Sequence, residues 1–218
     1  PIPGVGLSLR KITKEASLKI AKSAFEIAKS RSVNKSINSK IHAVHTANVM
    51  KITDGIFLDA CRLVSSKYND VDYEEMLVDA CAAHLVRKPD QFDVIVTTNM
   101  FGDILSDLAT ELSGSLGLAG SLNAGNNHAM AQAQHGAAPD IADKNIANPI
   151  SLILSSAMLL DWLGKNREID KLILASNLIN DSVLELLKDR ENFTRDLGGN
   201  ASTGKITENL IKILKKII

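Results

Sequence analysis

At 218 residues the chain can bury a substantial core, in one large domain or two small ones. It is 45% hydrophobic and 23% charged with few aromatics, and twenty-five basic residues balance twenty-five acidic ones, so no overall field draws it to nucleic acid or an anionic membrane. Apolar runs such as "ISLILSSAMLLDWLG" fall short of the roughly 20 residues that cross a bilayer, and the start lacks the layout of a signal peptide. A cytoplasmic protein is expected, or a mitochondrial-matrix one in a eukaryote, with neither nucleic acid nor membrane as partner. The two cysteines, Cys61 and Cys81, lack CxxC or metal-ligand spacing and sit among apolar neighbours, so both are expected as buried, reduced thiols. The chain begins at Pro1, without an initiating methionine, which suggests a piece of something longer.

From Thr13 to about Arg31, Ala16, Ile20, Ala24 and Ile27 or Ala28 recur at helical spacing, with Thr13 as N-cap and Glu15 in the first turn. A polar turn, "SVNKSINSK", leads to the alternating strand "IHAVH". A helix then runs from near Asp54 to Tyr68 with Phe57, Cys61, Val64 and Tyr68 on one face, and "YEEMLVDA" reads as a strand passing into a helix. "FDVIVTTN" is a continuous apolar run, the pattern of a strand covered on both faces. In the next helix Ile104, Leu105, Leu108, Ala109 and Leu112 mark a buried side. The glycine-rich "SGSLGLAGSLNAG" ends it as a hinge or a close approach to a ligand. "AMAQAQ" is a strand and "HGAAPDIADKNIA" an irregular loop. Asn148 as cap and Pro149 at the first helical position start a nearly all-apolar helix, expected to be deeply buried as far as Gly164. Helices over 167–188 and 203–217 follow, separated by "FTRDLGGNAST". The alternation of strands and helices indicates α/β layers, and no internal repeat stands out.

The chemistry concentrates in two places. Asp103 and Asp107, four residues apart, lie one turn above the other on a helix face. Two such carboxylates repel unless a cation sits between them, and an all-oxygen set suits Mg²⁺ or Mn²⁺. The bland alternative is helix capping, favoured by the macrodipole. The pair follows a buried strand, the end at which α/β proteins place ligands. Asp79 ends another short apolar strand, and its bland reading is again a cap. The second place is "QHGAAPDIADKNIANP", where small residues permit close approach to the backbone and a helix N-terminus follows. The alternative there is a tight surface loop, with His135 a packed loop histidine. Neither GxGxxG nor GxxxxGK[ST] is present, so a Rossmann site and a P-loop are not indicated.

"HTANVMKITDG", "VDACAAHLVRKPDQFDVIVTTNMFGDILSDLATELSGSLGL", "QHGAAPDIADKNIANPISLILSSAMLL" and "DLGGNAST", in this order, resemble the isocitrate and isopropylmalate dehydrogenase family of metal-dependent β-decarboxylating dehydrogenases. The resemblance implies a layered α/β fold that is not a Rossmann fold. Residues 1–113 would form the small domain, with the dimer interface and the metal-site aspartates, and 114–218 the C-terminal part of the large, nucleotide-binding domain. It implies a homodimer, or a related oligomer, that oxidises a 2-hydroxy acid carrying a 3-carboxylate, with NAD or NADP taking the hydride, and then releases CO₂. Asp103 and Asp107 become ligands of Mg²⁺ or Mn²⁺ from one protomer, and Asp79 the ligand from the other. His135, Gly136, Ala137 and Ala138 become part of the adenosine pocket with Ile141, and Asn148 a contact to adenine. Asp140 falls where NAD-using members carry an acid for the ribose hydroxyls; it would repel a 2′-phosphate, which favours NAD. Thr46 and Asn48 fall in the motif that supplies proton transfer at the substrate hydroxyl.

Three departures from the family pattern stand out. Thr46 occupies the position of a lysine, and threonine does not titrate near neutral pH. Gln132 stands where an acid usually precedes the HGxAPD motif. The family's N-terminal third, with its substrate-clamping arginines and catalytic tyrosine, lies outside the chain. Two readings follow: an enzyme of this family active with the missing segment, or a non-catalytic regulatory subunit or remnant. Either way, a large domain without all its strands is expected to leave apolar edges exposed.

Overall fold

A computed structural model describes residues 2–32 and 39–217 of the protein. The expected polar turn after the first helix falls mostly on residues 33–38, outside the described residues. The chain forms two compact units, Pro1–Ala109 and Thr110–Ile218.

The first unit comprises α1 (Lys14–Ser32), β1 (Lys40–His45), α2 (Lys51–Ser65), β2 (Asp72–Leu77), α3 (Val78–Arg87), β3 (Val94–Thr97) and the start of α4 (Asn99–Ser113). Its strands are parallel in the order β2-β1-β3, with Ile41 opposite both Tyr73 and Val94. Parallel neighbours need crossover connections, and the helices that supply them cover both faces. On one face Phe25 and Ala28 of α1 and Phe57 and Cys61 of α2 pack on Ile41, Ala43, Val94 and Val96. On the other, Cys81 and Leu85 of α3 and Leu105 of α4 pack on Val44 and Ile95. Thr13 Oγ1 accepts the amide of Ala16 at 3.2 Å and caps α1 as expected.

β1 is the most completely covered strand, with residues 41–44 all buried; β3, at the end of the strand order, is covered on both faces as expected but less fully, with Ile95 and Thr97 half-buried. "IHAVH" is the strand expected, but its alternation is not one of burial, because His42 is itself buried, edge-on to Phe92 with ring centres 4.7 Å apart. α2 begins at Lys51, three residues earlier than expected at Asp54. Tyr68 lies beyond its end yet still packs on Phe25, with centroids 5.1 Å apart. Both cysteines are buried free thiols, and burial pushes Cys61 up to about 12 and Cys81 to about 11. Leu7 and Leu9, in the segment before α1, are exposed at 95% and 99%.

The second unit contains the end of α4, an antiparallel pair of β4 (Gly120–Ala124) and β5 (Ala129–Ala133), and α5 (Ile150–Arg167), α6 (Asp170–Leu186) and α7 (Thr203–Ile217). Ile150, Val183, Leu186, Ile206 and Leu210 form its core. In the glycine-rich stretch Gly114, at φ +136°, ends α4 as expected, and the segment from Gly120 is strand β4. The structure corrects the expectation that α5 is deeply buried throughout. Leu152 and Met158 are exposed, and after Ile150 the buried positions are all small: Ser151, Ser155, Ala157 and Gly164. Ser155 Oγ accepts the amide of Ser121 at 2.9 Å and lies 2.7 Å from the carbonyl of Gln132, while Ser151 Oγ donates to Ala119 O at 2.5 Å. Hydroxyls thus seat the β4–β5 pair on the helix where apolar side chains were expected. α5 also runs through Gly164 to Arg167. A β-carbon at Gly164 would lie 2.6 Å from Ile173 Cγ1, so this glycine admits α6 and does not stop α5.

Candidate active site

In the first unit the site is built from the two turns that leave β1 and β3. After His45 the chain folds back, with the amides of Val49 and Met50 donating to Thr46 O at 3.0 and 2.8 Å. This turn carries Thr46, half-buried, and Asn48, exposed. The Thr46 hydroxyl donates to Asn48 Oδ1 at 3.2 Å, and the Thr46 amide donates to Asp54 Oδ2 at 2.7 Å. Asp54 is fully buried, and its other oxygen accepts Arg10 Nη1 at 2.7 Å. A buried carboxylate needs such partners, since an unpaired charge in low dielectric is costly. His45 Nδ1 accepts the amide of Ala47 at 3.0 Å, and burial is the main cause lowering its pKa, against Glu75 and Asp54.

β3 leads directly into α4, whose first turn holds no acid. Asp103 and Asp107 lie inside the helix and both are exposed, which removes the capping explanation. Asp103 Oδ2 accepts Asn99 Nδ2 at 3.1 Å. The pair presents oxygen donors one turn apart, a fit to part of the shell of a hard divalent cation. Asp79 is in the first turn of α3 behind an extended Leu77, exposed, with Oδ1 2.8 Å from the amide of Ala80. No three His, Cys, Asp or Glu side chains among the described residues gather as a metal-ligand group. One chain therefore offers two adjacent carboxylates, and Asp79 does not join them.

The second unit carries the "HGAAPDI" loop. His135, Gly136, Ala137, Ala138 and Asp140 are exposed and Ile141 is half-buried. Ala138 has φ +44°, ψ 61°, a left-handed conformation that costs a side-chain-bearing residue about 1 kcal/mol. It precedes a short 3₁₀ turn, Pro139–Ile141. His135 Nδ1 lies 3.0 Å from Gly136 O, and Lys144 Nζ donates to the main-chain oxygen of Asp140 at 2.8 Å. The loop is anchored further on, where Asn145 Oδ1 accepts the amide of Gly204 and its carbonyl that of Thr203, both at 3.0 Å, at the start of α7. No side chain occupies the space beside Gly136. This leaves a backbone surface open to a ligand, as small residues allow. Gln132, on β5, is exposed.

Asn148 departs from its expected position by one residue, because Pro149 is the N-cap and α5 starts at Ile150. Its amide is committed at both ends: Oδ1 accepts Ile150 N at 3.0 Å and Nδ2 donates to Asp196 Oδ2 at 2.9 Å. Ser115 Oγ donates to the same carboxylate oxygen at 2.6 Å. Partial burial raises the carboxyl pKa of Asp196, but the hydrogen bonds from Asn148 and Ser115 outweigh it and hold it below the usual value. The Asn148 side chain is thus committed to organising the end of the "DLGG" segment and the start of α5. Arg10, Asp54 and Asp196 carry much of this geometry, and sequence reasoning missed all three as site residues. Asp54 and Asp196 lie within the singled-out motifs "KITDG" and "DLGG"; Arg10 carries no such signal.

A β-decarboxylating dehydrogenase scaffold is what the folded units and their paired carboxylates indicate, and comparison with known proteins agrees. The family model for isocitrate/isopropylmalate dehydrogenase matches residues 3–212, and the chain belongs to that family. It is 44% identical over 207 residues to a 3-isopropylmalate dehydrogenase of Sulfurisphaera tokodaii, an alignment covering 95% of this chain and 59% of the relative. It is also 44% identical over 213 residues to a mitochondrial regulatory subunit of the NAD isocitrate dehydrogenase of Dictyostelium discoideum, covering 97% and 57%. The crystal structure of isocitrate dehydrogenase from Methylococcus capsulatus matches with a TM-score of 0.84 at 38% identity, over 96% of this chain and 59% of that one. The fold is the layered α/β fold of this family. The chain spans 57–59% of the length of these relatives. No helix among the described residues is long and apolar enough to cross a membrane.

Proposed function

We propose that the chain is part of a metal-dependent, NAD-linked dehydrogenase that oxidatively decarboxylates a 2-hydroxy acid bearing a 3-carboxylate, of isocitrate or 3-isopropylmalate type, as a homodimer. The turnover belongs to the whole protein, of which relatives carry a longer version. Residues 1–113 serve as the small domain and 114–218 as part of the large one. The observation that carries the reading is Asp103 and Asp107, exposed one turn apart on the helix that leaves β3 in a chain of this family. These carboxylates hold Mg²⁺ or Mn²⁺ from one protomer, and Asp79 completes the set from the other. When bound, the cation supplies Lewis-acid stabilisation of negative charge on substrate oxygens, and the dinucleotide accepts the hydride. His135–Ala138 and Ile141 bound the adenosine site, Asn148 lies beside the adenine, and the Asp140 carboxylate accepts from the ribose hydroxyls and repels a 2′-phosphate. The Thr46–Asn48 turn faces the proton that leaves the substrate hydroxyl. Saturating Mn²⁺ at about 100 times its Kd should stabilise the dimer by about 2.7 kcal/mol. Asp103→Ala with Asp107→Ala should abolish that gain; a parent protein indifferent to Mn²⁺ sinks the proposal.

Thr46 favours a second reading, a regulatory role without turnover, and one of the relatives bears that description. The two are separated by Thr46→Lys in the protein completed to the length of its relatives. A restored general acid–base is worth about 10²–10⁴ in rate. A rise of that order supports an enzyme lacking one group, and no rise supports the regulatory role.

A further inference from the structure

Arg10 belongs to no helix or strand, yet its side chain gathers three parts of the first unit. Nη1 donates to Asp54 Oδ1 at 2.7 Å and to Met50 Sδ at 2.9 Å, and Nη2 donates to Thr98 Oγ1 at 2.6 Å. The guanidinium carbon lies 5.3 Å from the centre of the Phe101 ring, within cation–π range. At one end of this fork stands Asp54, whose free oxygen takes the amide of Thr46. At the other stand Thr98, just before α4, and Phe101, two residues before Asp103 within it.

A buried ion pair is a poor source of stability, since desolvation offsets much of the attraction; where one is kept, fixing a conformation is its best-attested use. Only a planar, forked cation meets Asp54 and Thr98 together; an ammonium is a point charge. We propose that Arg10 is a positioning residue that holds the Thr46–Asn48 turn and the start of the Asp103–Asp107 helix in one frame. Proton-transfer position and metal carboxylates then keep a fixed relation. What those two parts do rests on the proposed function, whereas the bridge rests on contacts within one unit.

The test uses the 218-residue chain, with Mn²⁺ as probe and hydrogen exchange at two amides. Thr46 N, bonded to Asp54, reports the turn; Gly102 N, bonded to Thr98 O at 2.9 Å, reports the start of α4. Arg10→Met should speed exchange at both and weaken Mn²⁺ binding about tenfold, the scale of losses from supporting residues around metal ligands. Arg10→Lys still reaches Asp54 but not Thr98. It should restore protection at Thr46, leave Gly102 fast and leave Mn²⁺ binding weak, a split that general destabilisation does not produce. The inference is overturned if Arg10→Met leaves either amide or the Mn²⁺ affinity unchanged, or if Arg10→Lys moves both amides alike. Should the parent chain take up no Mn²⁺, the metal site falls, and the two amides alone decide the bridge.

Discussion

Gly117→Ala is expected to damage the second unit out of proportion to the single methyl it adds. A β-carbon there would lie 2.6 Å from Asp196 Oδ2, 2.7 Å from Asn148 Nδ2 and 2.9 Å from Asn148 Cβ, all inside the 3.0 Å that real β-carbons keep. Relief requires Asn148 or Asp196 to move, and either motion breaks their 2.9 Å hydrogen bond and disturbs the bond from Ile150 N that caps α5. Overpacking costs about 1–3 kcal/mol, and a lost hydrogen bond to a charged group about 1.5–3. The two overlap, so about 3 kcal/mol in total is expected. In a chain of 218 residues that lowers the melting midpoint by roughly 6–12 °C. Scanning calorimetry reads the shift, with Gly136→Ala as control, because nothing lies within 4 Å of a β-carbon at that glycine. Since Asn148 borders the proposed adenosine site, NAD affinity should fall with Gly117→Ala as well. A midpoint no lower than the control's would refute the packing argument.

Two further predictions concern charge. Burial, with Lys40, lowers the pKa of His42 below 6.5, while Glu74 opposes and His84 adds to the shift. The unfolded chain therefore takes up a proton that the folded one refuses, and stability is lost as pH falls below about 6.5, by at most about 1.4 kcal/mol per pH unit. Denaturant titrations at stepped pH should show a shallower acid loss in His42→Phe than in the parent; equal slopes would show that His42 protonates freely in the fold. Asp140→Lys, in the completed protein, should shift preference from NAD towards NADP by at least tenfold in kcat/KM, and an unchanged ratio would remove Asp140 from cofactor choice.

The elements with strong periodicity were legible in order, and the strand–helix run from Asp72 to Arg87 appears as read. Legibility failed where a polar or small residue took a role that composition assigns elsewhere. His42 sits buried within a strand read only as alternating, and the sequence pattern could not reveal Phe92 set edge-on against it. Glycines were read as punctuation, yet Gly120 opens a strand and Gly164 is a helix crossing. Serines in α5 looked incidental but seat the β4–β5 pair through hydrogen bonds to a segment some thirty residues away. In the candidate site the carboxylates visible from spacing, Asp103 and Asp107, are on one exposed face as expected, because i and i+4 is a local relation. Arg10 to Asp54 spans 44 positions and Asn148 to Asp196 spans 48. Neither pairing leaves a local pattern, so only the folded chain reveals which carboxylates have structural partners.

That distinction bears most on Thr46. Its place is fixed by its main chain, through the amide held by Asp54 and the carbonyl that takes Val49 N and Met50 N, while its hydroxyl reaches only Asn48 among the partners described. The turn therefore does not depend on which side chain stands at residue 46, and a lysine there would inherit the same backbone. Under the proposed function, the frame that would aim a titratable group at residue 46 is intact. The frame rests on the wholly buried Asp54 carboxylate and its bond to Arg10, whose side chain is 24% exposed. Because the Arg10–Asp54 bridge does not depend on the side chain at residue 46, Mn²⁺ binding by the proposed Asp103–Asp107 pair should survive in this chain even if turnover does not. Retained Mn²⁺ affinity alongside absent turnover, with a gain on Thr46→Lys, places the lesion at one side chain; loss of both places it in the frame.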